Sequence, residues 1–339
     1  MTVSVSTRRL LESATVVDLL VPDAPAPILP GVGKLFEEHV ARFERTGVTF
    51  ASFTVGLDHL ASIEGQIKGL GAVRRWFLTR PERFVLVRTV ADIAEAKRTG
   101  KLAVNFHFQG TNALMGDVNL VEVYRALGVG HMLMAYNEKN LVGDGCHERT
   151  DCGLSAFGVR LVGEMNRVGV AVDVSHTGYR TSMDVFEVAK APVIFSHANP
   201  RGLYAHERNI RDDQIKACAQ TGGVIGVTGV GLFMSQDGLD ISPDMLIRQI
   251  DYIADLVGAG HIGFGLDHIE DVAHLVKLID TNAGRYPEQG GYKAPQLLFA
   301  SPEIIPDVAE RLLAKNWSEA DVRGVLGENW LRVLGQIWG

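Results

Sequence analysis

MNRVGVAVDVSHTGYRTSMDVFEVAKAPVIFSHANPRGLYAHERNIRDD, residues Met165–Asp213, holds two copies of one arrangement. Val170–Ser175 (VAVDVS) is a short β-branched run that ends on His176, and Pro192–Ser196 (PVIFS) is a second one that ends on His197. Between them, Tyr179–Lys190 carries Met183, Val185, Phe186 and Val188 at amphipathic-helix spacing. The pattern is strand–helix–strand, with a histidine just past the carboxyl end of each strand. The histidines lie 21 positions apart, about one βα repeat. In parallel α/β sheets the strand carboxyl ends and the loops after them form the active face. Two imidazoles there can share one metal ion, and neutral imidazole is a common zinc ligand.

Working outward, seven further strand-like runs continue the alternation with helices. Strand-like runs are expected at 15–20, 47–55, 83–88, 101–108, 131–135, 222–228 and 261–266, with helices over 33–46, 58–78, 89–99, 120–127 and 155–168. Thr89 and Ser155 stand in N-cap places, and Glu95 with Arg98 forms an i, i+3 pair. The Pro-rich VPDAPAPILPG after the first strand cannot be helix. With no low-complexity linker, residues 1–339 read as one α/β domain, a single (β/α)8 TIM-like barrel with C-terminal helices. Nine strand-like runs are one more than a closed barrel needs, so one is an extra edge strand or a run misread as a strand. The tail, Pro302–Gly339, reads as two helices, with a capping start at Ser318 and with Trp330, Leu331 and Leu334 buried.

Composition narrows the function. A net charge of −7 argues against a nucleic-acid groove and against an anionic membrane surface. Three cysteines (Cys146, Cys152 and Cys218) make no disulfide framework and fit a reducing compartment. The N-terminal stretch lacks a signal-peptide core, and no run approaches membrane-spanning length. The expected location is therefore cytoplasmic. No GxGxxG or GxxxxGK[ST] follows a strand, so nucleotide binding has no support.

Other strand ends add candidates. Asp267 follows IGFGL and suits a general acid/base or a metal ligand, or else an N-cap. Arg208 can grip a substrate carboxylate, or pair with Asp212 or Asp213 on the surface. Gln109 and His107 end the fourth strand and alternate, so both face one way. Tyr136, beside Asn137, ends the fifth strand and its hydroxyl can serve an oxyanion. In the loop Leu141–Cys152, Glu148 is a modest candidate for an anionic metal ligand, and the Cys146–Cys152 spacing matches no zinc knuckle.

LSAFGVRLVGEMNRVGVAVDVSH, APVIFSHANPRGLYAHERNIRDDQIKACAQTGGVIGV, GHIGFGLDH and NWSEADVRGVLGENWLRVL together resemble the membrane dipeptidase (renal dipeptidase) family of zinc peptidases, over roughly Gln109 to Trp338. The resemblance implies a (β/α)8 barrel with two zinc ions on its carboxyl face and a metal-bound hydroxide that attacks a dipeptide carbonyl. It puts His176 and His197 at the second metal, Arg208 on the substrate carboxylate and Asp267 on the proton. Three places depart from the family. Its His-x-Asp pair falls in VDLLVPD (Val17–Asp23), where Leu20 and Pro22 stand at the two ligand positions. Its bridging glutamate is Gln109, and its carbonyl-contacting histidine is Tyr136. Losing these anions leaves room for at most one zinc ion.

The resulting expectation is a divergent, metal-dependent hydrolase of dipeptides or related small amides. Zinc sits on His176 and His197, with Glu148, Gln109 or Asp267 and a water completing its shell. Asp267 and Tyr136 are the catalytic residues. Arg208, Gln109, His107 and Asn137 bind the substrate. The expected partner is a dipeptide or other small molecule, with a homodimer left open. Two rivals stand beside this: a metal-dependent enzyme on a non-peptide metabolite, and a catalytically inactive barrel that binds ligands.

Overall fold

The computed structural model describes residues 3–22, 33–58, 62–292 and 297–339. Nine parallel strands form: β1 Val17–Val21, β2 Phe50–Leu57, β3 Phe84–Leu86, β4 Leu102–Gln109, β5 Val129–Leu133, β6 Ala171–Asp173, β7 Val193–Ile194, β8 Ile225–Val227 and β9 Ile262–Phe264. Their spatial order is β7-β6-β5-β4-β2-β1-β9-β8, and a parallel bridge from Phe195 to Ile225 joins the two ends. The ring is thus a nearly closed eight-stranded barrel with helices packed outside it, as expected. The surplus strand is β3, which pairs only with β4, below the rim. The Pro-rich segment 23–32 and the start of the expected helix 58–78 lie outside the described residues; that helix runs Ile63–Leu78.

Local chemistry sets the boundaries. Ser155 caps helix Ala156–Val168 by accepting from Gly158 N at 3.0 Å. Thr89 opens helix Val90–Thr99 with a capping box to Asp92. Helices not located from sequence include Val5–Ser13, Asp212–Gln220, Pro243–Val257 and Val272–Thr281. The tail is not two helices. Ile305–Ala314 is followed by Glu319–Arg323, a widened turn at 324–328, and Asn329–Trp338. The break falls at Gly327, where a Cβ would stand 2.3 Å from the Thr15 carbonyl, so the chain can pass only without a side chain.

The last helix plugs the amino-terminal end of the barrel. Trp330, Val333, Leu334, Ile337 and Trp338 pack against Val17, Leu19, Phe50, Ala103, Ala171 and Ile194, while Leu331 is half-buried beside them. Trp330 Nε1 donates to Phe264 O at 3.2 Å and Trp338 Nε1 to Gly130 O at 3.1 Å, which satisfies the two indole N–H groups this burial would strand. The bottom layer of the barrel is therefore apolar. Higher up, alternate positions of the same strands turn polar side chains inward: Ser52 and Thr54 on β2, His107 and Gln109 on β4, His131 on β5 and Asp173 on β6. The three cysteines are free thiols. Among the described residues no helix is long and apolar enough to cross a membrane.

Candidate active site

His176 and His197 meet at the carboxyl rim. Their Nε2 atoms are 3.0 Å apart, and both rings are buried. Each ring is held through its other nitrogen. His176 Nδ1 lies 2.6 Å from Asn137 Oδ1, and His197 Nδ1 lies 2.8 Å from Ser196 Oγ. Asn137 Nδ2 donates to Arg285 O at 3.1 Å, so its Oδ1 is the atom that faces the imidazole. An amide oxygen only accepts, so His176 carries its proton on Nδ1 and turns a lone pair toward His197. Tyr136 stacks on the His176 ring, with centroids 4.1 Å apart.

Backbone strain collects here. Among the described residues five non-glycine residues have positive φ, and three of them are Asn137 (62°), His176 (61°) and Asp267 (59°). Left-handed backbone at such residues persists where the surroundings over-determine it, and it clusters at functional sites.

The rim opens into a cavity of about 870 Å³, mouth included, with Gln109, Tyr136, His176 and Asp267 in its wall. The rest of that wall is mainly apolar, with Leu232, Phe233, Leu275, Leu278 and Phe299. Burial pushes the Asp267 carboxyl up to about 6, against the opposing pull of Arg208. Asp18, on β1, is a neighbour that sequence reasoning missed. Burial pushes it up to about 7, and its Oδ2 is buried without a partner among the described residues. Tyr136 and Tyr286 join hydroxyls at 3.2 Å, and burial holds the Tyr136 phenol well above its usual range.

On the other side of His176 lies a more polar cavity, lined by Cys146, Glu148, Arg201, Arg208 and Arg211. Arg208 is 2% exposed. One of its terminal nitrogens donates to His197 O at 2.8 Å, and its Nε is buried without a partner among the described residues. It forms no surface pair with Asp212 or Asp213, which accept from Tyr252 and Tyr179 instead.

Three expected residues have their polar atoms engaged within the protein. His107 is fully buried inside the barrel and spends both nitrogens on Ser52 and Thr54, so it does not line the cavity. Asn137 is enclosed and holds His176 with one end and Arg285 O with the other. Glu148 accepts from Lys139 N and Arg149 N, which ties its carboxylate to its own loop. Among the described residues no group of three or more His, Cys, Asp or Glu side chains is placed to hold a metal. Leu20 is buried on β1 and Pro22 lines the apolar cavity, so neither offers a ligand there.

Zinc is therefore met halfway. Two nitrogens on one tetrahedral zinc stand roughly 3.3 Å apart, close to the observed separation. Both imidazoles also have the oxygen partner on the far nitrogen that orients metal-ligating histidines. The two imidazoles supply two of the ligands a zinc ion takes, and among the described residues no group offers the ligands of a second position.

A family model described as membrane dipeptidase (peptidase family M19) matches residues 38–288. An uncharacterised dipeptidase of Schizosaccharomyces pombe is 32% identical over 246 residues, 71% of this chain and 54% of the relative. A dipeptidase of Aspergillus oryzae is 29% identical over 262 residues, 76% of this chain and 57% of the relative. The chain thus spans little more than half the length of these relatives. Among solved structures, an amidohydrolase from Pseudomonas aeruginosa superposes with a TM-score of 0.86 at 33% identity, covering 98% of this chain and 99% of that one.

Proposed function

The chain belongs to the membrane dipeptidase family, peptidase family M19, and from that premise we propose that it hydrolyses dipeptides or related small amides with at most one zinc ion. The observation that carries the reading is the convergence of the His176 and His197 Nε2 atoms at 3.0 Å between an acid, Asp267, and a buried guanidinium, Arg208. Zinc held by these imidazoles supplies Lewis acidity and a water of lowered pKa. The side chains do the rest. Arg208 takes the substrate carboxylate through its unpartnered Nε. Asp267 accepts the proton of the attacking water on its carboxylate and passes it to the leaving amine. The Tyr136 hydroxyl faces the same cavity and donates to the oxyanion. The apolar wall excludes bulk water and strengthens each of these charges.

A second reading, a metal-free barrel that binds small ligands, is favoured by the lack of a third ligand among the described residues. Hydrolysis of a dipeptide panel, run beside elemental analysis of protein purified without chelator, separates the two. The hydrolase reading expects turnover that a chelator abolishes; no turnover and no metal leaves the binding barrel.

The carboxylate contact has its own test. Arg208→Lys should raise KM about tenfold or more for the best dipeptide, because a point charge cannot replace the planar fork. The same dipeptide amidated at its C-terminus should lose little further. Equal losses on both would remove Arg208 from carboxylate binding.

The acid/base role predicts a pH profile. Asp267 must be ionised to accept a proton, and its carboxyl is pushed up to about 6. Activity should therefore rise with pH through about 6 and level off above it. Asp267→Asn should remove that limb along with most of the turnover. A rising limb that survives in the variant would assign it to another group, Asp18 first.

A further inference from the structure

One line of buried polar side chains crosses the barrel interior, and the hydrolytic reading does not use it. Gln109 Nε2 donates to Thr54 Oγ1 at 2.9 Å, and Thr54 Oγ1 lies 2.7 Å from His107 Nε2. His107 Nδ1 is 2.9 Å from Ser52 Oγ, which is 3.1 Å from His131 Nε2. His131 Nδ1 is 3.2 Å from Asp173 Oδ2. The other carboxylate oxygen, Asp173 Oδ1, accepts from Ser175 N at 2.9 Å and Ser196 N at 3.1 Å. Every member is buried.

With neutral imidazoles each bond has one permitted direction. The Asp173 carboxylate only accepts, so His131 carries its proton on Nδ1 and accepts on Nε2 from Ser52. Ser52 then accepts from His107 Nδ1, His107 Nε2 accepts from Thr54, and Thr54 accepts from Gln109. All the dipoles run one way and reinforce one another. The consequence appears at the rim. Gln109 is committed to present its NH2 inward, which leaves Oε1 toward the cavity that Gln109 lines. The anion at Asp173 thereby sets which end of an amide the substrate meets.

We propose that Gln109 reads the N–H of the scissile amide, with Thr54, His107, Ser52, His131 and Asp173 as its positioning residues, so that the site takes amides bearing that N–H and rejects N-alkylated ones. The inference rests on the reading that small amides are the substrates. A scissile amide offers one C=O and one N–H to the cavity. The C=O goes to the electrophilic side of the site, and Asp267 is occupied with the proton. Gln109 Oε1 is the neutral acceptor left for the N–H. An acceptor built for an N–H discriminates strongly against a substrate without one, because its own polar group is then stranded.

The experiment compares a dipeptide with its N-methylated counterpart, Phe-Gly with Phe-sarcosine, on the full chain. Wild type should favour Phe-Gly in kcat/KM by roughly 10²-fold. Gln109→Met keeps the shape and removes the acceptor, and the ratio should fall toward one. Thr54→Val, which frees the Gln109 amide, should lower it about tenfold. The sharpest variant is remote. Asp173→Asn keeps Oδ1 for the two serine N–H groups and puts an N–H donor where Oδ2 faced His131. Both His131 bonds then reverse, Ser52 and Thr54 are no longer obliged to donate toward Asp173, Gln109 is free to turn its NH2 to the cavity, and the preference for Phe-Gly should fall in a protein that still folds by circular dichroism. A ratio near one in wild type overturns the proposal, as does a large ratio that Gln109→Met leaves unchanged, which would assign it to the bulk of the methyl group. If neither compound is cleaved, the hydrolase reading fails separately. The same ratio is then read from Kd by calorimetry with wild type and Gln109→Met: a difference that Met removes supports the proposal, and equal affinities overturn it.

Discussion

His197→Ala is expected to lose amide hydrolysis by about 10³-fold or more, some 4 kcal/mol of barrier, and to lose bound zinc in the same step. The coupling follows from the geometry. His197 is fully buried, and its Nε2 faces the Nε2 of His176 at 3.0 Å. Without it a lone imidazole remains, held by Asn137, and one neutral nitrogen is too weak a site for a divalent ion. The ring sits at the rim with Ser196 on its far side, so its removal leaves a small polar space and the fold should survive. Elemental analysis and kcat/KM, measured on the same preparation, check both halves. Two zinc ions per wild-type chain would defeat the single-ion reading, since neutral Gln109 cannot offset the repulsion between ions about 4 Å apart. Zinc retained by the variant would take His197 out of the metal's shell.

The second large effect is on stability. Asp173→Ala should cost about 3–5 kcal/mol, read as a shifted urea midpoint at neutral pH. Asp173 is buried, and it is the acceptor for His131 Nδ1, Ser175 N and Ser196 N together. Deleting it strands three buried donors and ends the line that begins at Gln109. Burial opposes ionisation of its carboxyl, yet the His131, Ser196 and Ser175 contacts hold it below its usual range. The charge therefore persists at neutral pH, and the group contributes stability as an anion. A loss under 1 kcal/mol would show that the interior relaxes around the gap.

What could be read from the amino-acid order alone follows the reach of the interactions. Each strand was legible because β-branched runs and turns are local signals, but which of the nine runs was surplus was not, because pairing partners are set only when the barrel closes. His176 and His197 were legible as strand ends one repeat apart. Asn137 was visible as a strand-end residue, but not as the partner of a ring 39 positions away. The interior line was harder still, because its members sit on four strands and meet only when the barrel closes. Its one local trace was alternation, Asn105, His107 and Gln109 in KLAVNFHFQ, where an apolar core strand would carry aliphatic residues. Glu148 could be read only as a modest ligand candidate or a loop charge, because spacing cannot tell which way a loop carboxylate turns. The tail hid its break because the carbonyl that excludes a side chain at Gly327 belongs to Thr15, at the far end of the chain.

The left-handed backbone at Asn137, His176 and Asp267 has a bearing on engineering. Glycine at Asp267 would relieve roughly 1 kcal/mol of strain and raise heat tolerance while erasing the proposed proton carrier, whereas at Asn137 the lost bonds to His176 and Arg285 O outweigh that relief. A library screened for survival at high temperature alone would thus be drawn toward glycine at Asp267 and toward a sturdier, inert barrel. Directed evolution of this scaffold should select on turnover at every round, and heat resistance should be sought in the amino-terminal half of the barrel, away from the rim.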